Sequence, residues 1–166
     1  MLGWNRAHAD GFSLLELVVV LAILGVLLGM AWPALSGWLE RRRLLAAADA
    51  LQDVLSVTQQ QALAHDTRLY LAFVPLAADG WEVVRSELAA CSSAGCGTQV
   101  LADDDYPGIR LFSTTFSGNQ TEFDPVRGLA DNGKVVLESR GGLRAGVILS
   151  SVGRIRRCGE GTREAC

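Results

Sequence analysis

The chain has 166 residues, a formal charge of −3 and 49% apolar residues. That size fits one domain plus an appendage, and the lack of a repeat or low-complexity tract excludes a repeat array or a compositionally biased linker. The charge is uneven. Residues 1–133 sum to −7 and residues 134–166 to +4, which points to an anionic partner for the basic end or to a solvated outer strand.

The chain begins MLGWNRAHADG and continues FSLLELVVVLAILGVLLGMAWPALSGW. Leu17 to Gly37 carries no charge, which suits a helix of about 20 residues across a bilayer. Arg6 precedes the run and Arg41, Arg42 and Arg43 follow it, so flanking charge leaves the orientation open. A signal peptide would offer only Gly29-Met30-Ala31 as a cleavage site. A plain anchor would not need Glu16, a carboxylate at the start of a hydrocarbon-spanning helix. Such a group is costly, calls for a cationic partner and is a functional hypothesis by default. Trp32 and Trp38 suit a membrane interface.

Beyond Pro33 the helix resumes. Leu44, Ala48, Leu51, Leu55, Thr58 and Ala62 recur at alternating spacings of four and three, forming one stripe, with Glu40, Arg43, Asp53 and Gln60 on the other side. The pattern predicts a helix of roughly fifty residues from Phe12 to near His65, bent or melted by a turn at Pro33.

After Asp66 the period becomes strand-like. Leu69–Val74 reads as a buried strand stopped by Pro75, and Trp81–Arg85 as an alternating, half-exposed one. Further strands are expected at Gly108–Phe112, Thr121–Phe123, Lys134–Glu138 and Arg144–Ser150. The last turns at Ser151-Val152-Gly153 into Arg154–Cys158, forming a hairpin. The stretch from Cys91 through Asp103-Asp104-Asp105 reads as loop. A long helix followed by antiparallel strands is an α+β arrangement.

The chain shows no catalytic constellation. His65 stands alone at a helix end, and the serines lack a nearby base. Asp103-Asp104-Asp105 lacks the spaced ligands of a Ca²⁺ loop and reads as a solvated acidic run. The four cysteines, Cys91, Cys96, Cys158 and Cys166, allow three disulfide connectivities, and the local pairs Cys91–Cys96 and Cys158–Cys166 are preferred. Zinc is disfavoured, because C-x₄-C has no second close pair. No metal and no cofactor are expected.

Gly11-Phe12-Ser13-Leu14-Leu15-Glu16 resembles the prepilin-peptidase site of type IV pilins and type II secretion pseudopilins. The resemblance implies cleavage after Gly11, N-methylation of Phe12, and pairing of Glu16 with a neighbouring subunit's N-terminal amine. Two charges that neutralise one another only in the filament would help to set its register. It also implies a leader at 1–11, a transmembrane and filament-core helix at 12–36, and a periplasmic head at 37–166. The head would begin with the amphipathic helix to about 65 and continue as an antiparallel β-sheet. The implied partners are the prepilin peptidase, the bacterial inner membrane and other pilin subunits. The implied course is a single-pass precursor that then enters a pilus or pseudopilus.

Val147-Ile148-Leu149-Ser150, Gly153-Arg154-Ile155-Arg156 and Phe123-Asp124-Pro125-Val126-Arg127-Gly128 resemble the GspH/FimT branch of minor pilins and pseudopilins. In a strand Arg154 and Arg156 share one face, with Ile155 and Arg157 opposite. Guanidinium groups at that spacing suit phosphates, and Arg140, Arg144 and Arg163 would widen the patch. Gly153-Arg154-Ile155-Arg156 resembles the GRxR motif of FimT-type minor pilins. That resemblance implies sequence-independent binding of double-stranded DNA through Gly153, Arg154, Arg156, Arg157 and Arg144 during natural transformation. The alternatives are a GspH-like tip pseudopilin of a type II secretion system and a minor pilin that primes assembly.

Overall fold

The computed structural model describes residues 13–91 and 95–166, with the backbone alone at 30–34. Gly11 and Phe12 lie outside the described residues. The chain divides into two units, Met1–Gly37 and Trp38–Cys166, and one helix, α1 (Leu14–His65), contributes to both.

In the first unit Ser13 caps α1. Its hydroxyl accepts the Glu16 N–H at 3.2 Å, and its carbonyl accepts the Leu17 N–H at 3.2 Å. Ser13-Leu14-Leu15-Glu16 therefore follows the spacing of a capping box, in which the cap hydroxyl satisfies an otherwise orphan donor. Glu16 is exposed in the first turn of the helix, where a negative charge suits the helix dipole. The apolar side chains that follow, among them Leu14, Leu17, Leu21, Leu24 and Leu28, are all exposed. A helix apolar on every side needs a cover beyond its own chain. Among the described residues no helix is long and apolar enough to cross a membrane. The helix continues through Pro33, so no turn melts there.

In the second unit every residue of the predicted stripe is buried, with Leu44, Ala48 and Ala62 at 0% exposure and Leu51, Leu55 and Thr58 at 1%. Ala47 joins them. Eight strands follow: β1 (Leu69–Pro75), β2 (Trp81–Ser86), β3 (Thr98–Ala102), β4 (Ile109–Thr114), β5 (Gln120–Phe123), β6 (Gly133–Ser139), β7 (Arg144–Leu149) and β8 (Ile155–Gly159). They form two four-stranded antiparallel sheets, ordered β3-β2-β1-β5 and β4-β6-β7-β8. Leu71, Phe73, Trp81 and Val83 of the first sheet and Val135, Leu137, Val147 and Leu149 of the second share one core with the helix stripe. The Trp81 indole N–H donates to the Ile109 carbonyl at 3.0 Å and ties the sheets at one end.

Two expectations need correction. β2 is not half exposed, since all its residues but Arg85 are buried. Trp81 and Val83 face the main core, while Val84 packs with Ala72, Val74 and Cys91 in a second cluster on the opposite face. β3 falls inside the expected loop. It pairs with β2 from Glu82↔Ala102 to Arg85↔Thr98 and forms an outer strand with little buried surface.

The registers define two ends of this unit. Ile109↔Ser139 puts the start of β4 beside the end of β6, and Asp103-Asp104-Asp105 follows β3 at that same end. Gly133↔Leu149 puts the end of β7 at the other, where the arginine-bearing hairpin begins.

Candidate nucleic-acid interface

The β7–β8 hairpin closes over Ser150-Ser151-Val152-Gly153. The Gly153 N–H donates to the Ser150 carbonyl at 2.8 Å, and the Ser150 N–H to the Arg154 carbonyl at 3.0 Å. The Ser150 hydroxyl also accepts the Arg154 N–H at 3.1 Å. Gly153 has φ +74°, a left-handed conformation that glycine adopts without steric cost. It is buried, and a Cβ there would collide with the Gln59 side-chain amide and the Gly128 carbonyl.

That crowding reflects a clamp. The Gln59 amide of α1 donates to the Gly128 carbonyl at 2.9 Å and to the Gly153 carbonyl at 3.1 Å. Gly128 closes the loop after β5, where the Asp124 carboxylate accepts the N–H groups of Val126 (2.9 Å) and Arg127 (3.0 Å). Those two donors hold the Asp124 carboxyl below its ordinary range. The Ala130 N–H donates to the Ser151 carbonyl at 3.2 Å and joins this loop to the hairpin. The two motif stretches, Phe123–Gly128 and Gly153–Arg156, thus meet on one glutamine. Sequence reading did not single out Gln59. The only signal was a polar residue on the flank of the buried stripe.

Strand register places the basic side chains. Ile155 pairs with Leu149 and Arg157 with Val147, both core residues, whereas Arg156 pairs with Ile148 on the outer face. Arg154 shares the parity of Arg156. It is exposed, and its guanidinium has no partner among the described residues. Arg156 meets Glu164 at 3.2 Å, with both side chains well exposed. Arg157 turns towards α1 and is held by Asp49.

Arg144 is not brought to this cluster. It starts β7, about 13 Å along the strand from Ile148 at the usual rise per residue. Its Nε donates to Glu138 at 2.9 Å and its guanidinium lies 3.7 Å over the Phe112 ring. Arg110 holds the same carboxylate from β4, at 2.5 and 3.0 Å. The hydrogen bonds from Arg110 and Arg144 keep Glu138 below the usual carboxylate range.

Disulfides join Cys91 to Cys96 and Cys158 to Cys166. The second closes the segment after β8, returning Glu164 to Arg156. Among the described residues no group of His, Cys, Asp or Glu is arranged to hold a metal.

The family model described as type II transport protein GspH matches residues 47–153, from the buried helix stripe to the hairpin glycine. The chain belongs to the GspH family. The model of the prokaryotic N-terminal methylation motif matches residues 6–32. This GspH-family chain resembles the crystal structure of the type IV minor pilin FimU of Pseudomonas aeruginosa in two crystal forms. In one the TM-score is 0.54 at 17% identity, covering 72% of this chain and 90% of that one. In the other it is 0.51 at 15% identity, covering 69% and 91%. At those identities the likeness shows the fold, which is the pilin fold of a long N-terminal helix packed on antiparallel sheet. A search of curated protein sequences gives no significant match.

Proposed function

We propose that this GspH-family protein is a minor type IV pilin that binds the phosphate backbone of double-stranded DNA during DNA uptake. The observation that carries this reading is Arg154. It is an exposed guanidinium without an intramolecular partner among the described residues, beside Arg156, on a turn clamped to α1 by Gln59. Phosphate contacts of this kind carry no base information, so binding is independent of sequence. Arg156 contributes after releasing Glu164. Arg157 and Arg144, engaged by Asp49 and Glu138, support the surface more than they contact the ligand. The role is binding, not catalysis.

The N-terminal methylation motif supports processing by a prepilin peptidase and assembly with other pilins. Cleavage after Gly11 exposes Phe12 for methylation. It leaves residues 12–36 as membrane and filament-core helix and 37–166 as the periplasmic head. The exposed apolar surface from Leu14 to Leu28 is then covered first by the inner membrane and later by neighbouring subunits. Glu16 pairs there with a neighbour's terminal amine.

One observation favours a second reading, that of a structural tip pseudopilin of a type II secretion system. Two of the three clustered arginines, Arg156 and Arg157, already have carboxylate partners. Titrating the oxidised protein into fluorescent duplex DNA, beside an Arg154→Gln, Arg156→Gln double variant, separates the two. Salt-sensitive binding lost in the double variant supports the DNA reading. No binding by the wild type at low salt leaves the structural one.

A further inference from the structure

The outer face of the second sheet carries a row that crosses three strands. Arg156 of β8 lies opposite Ile148 of β7, and Ile148 lies opposite Lys134 of β6. Directly opposed residues share a face, so the two cations flank one isoleucine. Their Cα atoms are two strand spacings apart, about 10 Å, a distance that long Arg and Lys side chains adjust to neighbouring phosphates. Beside the row runs an open groove of about 490 Å³ lined by Thr115, Asn132, Lys134, Ile148, Ser150 and Ser151. The Thr115 hydroxyl accepts the Lys134 N–H at 2.9 Å, which leaves its own O–H free to donate. Asn132 and Ser151 are exposed.

Both cations of the row are held by the same short segment. Glu164 meets Arg156 at 3.2 Å, and the Cys166 carbonyl accepts from Lys134. The segment is braced for this. Cys158–Cys166 closes it, the Gly159 N–H donates to the Glu164 carbonyl at 2.6 Å, and the Thr162 hydroxyl contacts the Gly159 and Glu164 carbonyls, each at 2.9 Å. The acceptors near a polyanion's path thus include a carboxylate and a carbonyl supplied by the protein itself.

We propose that the phosphate track continues from Arg154 and Arg156 across β7 to Lys134, and that Glu164 and the Cys166 carbonyl are intramolecular stand-ins which the phosphates displace. This rests on the DNA reading above and extends it from the hairpin to a groove on the sheet. Lys134 is then a third phosphate contact and Glu164 a competitor that lowers affinity.

The test titrates the oxidised full chain in detergent with a fluorescent DNA duplex from 50 to 200 mM salt. It compares wild type, Arg154→Gln, Lys134→Gln, Lys134→Arg and Glu164→Gln. One phosphate contact fewer weakens binding about fifteenfold at 50 mM and about fourfold at 200 mM, and flattens the log–log salt slope by about 0.9. Lys134→Gln gives that result, Lys134→Arg restores it, and Glu164→Gln tightens binding about twofold to fivefold, the scale of an exposed ion pair. If wild type binds and Arg154→Gln weakens it, but Lys134→Gln and Glu164→Gln do not change it, the track is overturned while the DNA reading stands. Weaker binding by Lys134→Gln with an unchanged slope reports a structural role and also overturns the track. Absence of wild-type binding overturns both.

Discussion

Replacing Gly153 by alanine tests whether the glycine of the arginine motif serves the fold. Its φ of +74° costs an L side chain about 1–2 kcal/mol. The new Cβ meets the Gln59 amide and the Gly128 carbonyl, so the Gln59 side chain must leave. Its two hydrogen bonds, at 2.9 and 3.1 Å, are each worth about 1 kcal/mol. The total is about 3–4 kcal/mol. For a head of this size each kcal/mol moves the melting temperature by about 3–5 °C, so Gly153→Ala lowers Tm by about 10–20 °C. Thermal unfolding followed by circular dichroism reads the shift. The cost should shrink in a Gln59→Ala background, because the amide contacts are already gone there and residues in contact are non-additive. A drop under about 2 °C, or one that Gln59→Ala leaves unchanged, refutes the clamp.

Glu138 gives a pH signature. Its carboxyl is held below the usual range by Arg110 and Arg144. The stability it contributes is therefore full above the unfolded value of about 4.3 and is lost as pH falls through the folded value. In denaturant titrations the gap between wild type and Glu138→Gln narrows on acidification, and a gap constant from pH 7 to 3 contradicts this. Changing Cys91 and Cys96 together to alanine removes a loop constraint of about 2 kcal/mol, seen as a lower denaturation midpoint with an unchanged slope. No change in midpoint would show that this loop constrains nothing. Glu16→Ala reduces recovery of the protein in sheared filaments, and normal recovery would leave Glu16 only its favourable place in the first turn of the helix.

The helix stripe was legible because burial along α1 repeats at the helical period, and Leu44 to Ala62 obey it for about two turns before Leu51 and about three after it. The hairpin was legible from Ser151-Val152-Gly153 after the apolar run Val147-Ile148-Leu149. β3 was hidden because Thr98-Gln99-Val100 is exposed to half-buried and lies between a cysteine loop and an acidic run that both read as turns. The double burial of β2 escaped because its second cover includes Cys91, and nothing local announces it. Gln59 was invisible for a related reason. Its partners are backbone carbonyls 69 and 94 positions away, and a carbonyl leaves no mark in a sequence. The pairing of Arg157 with Asp49 spans 108 positions, so strand alternation set Arg157 apart from Arg154 and Arg156 without revealing its partner.

The placement of Asp103-Asp104-Asp105 and the arginine hairpin at opposite ends of the head has a kinetic consequence. The molecule has net charge −3, so a polyanion meets net repulsion at long range and finds Arg154, a guanidinium unpaired among the described residues, at the hairpin end. On the proposed DNA reading, a diffusing duplex is thereby turned away from unproductive approaches before any hydrogen bond forms. Such polarity acts on the frequency of correctly oriented encounters more than on the lifetime of the complex, and it fades as salt shortens the reach of the field.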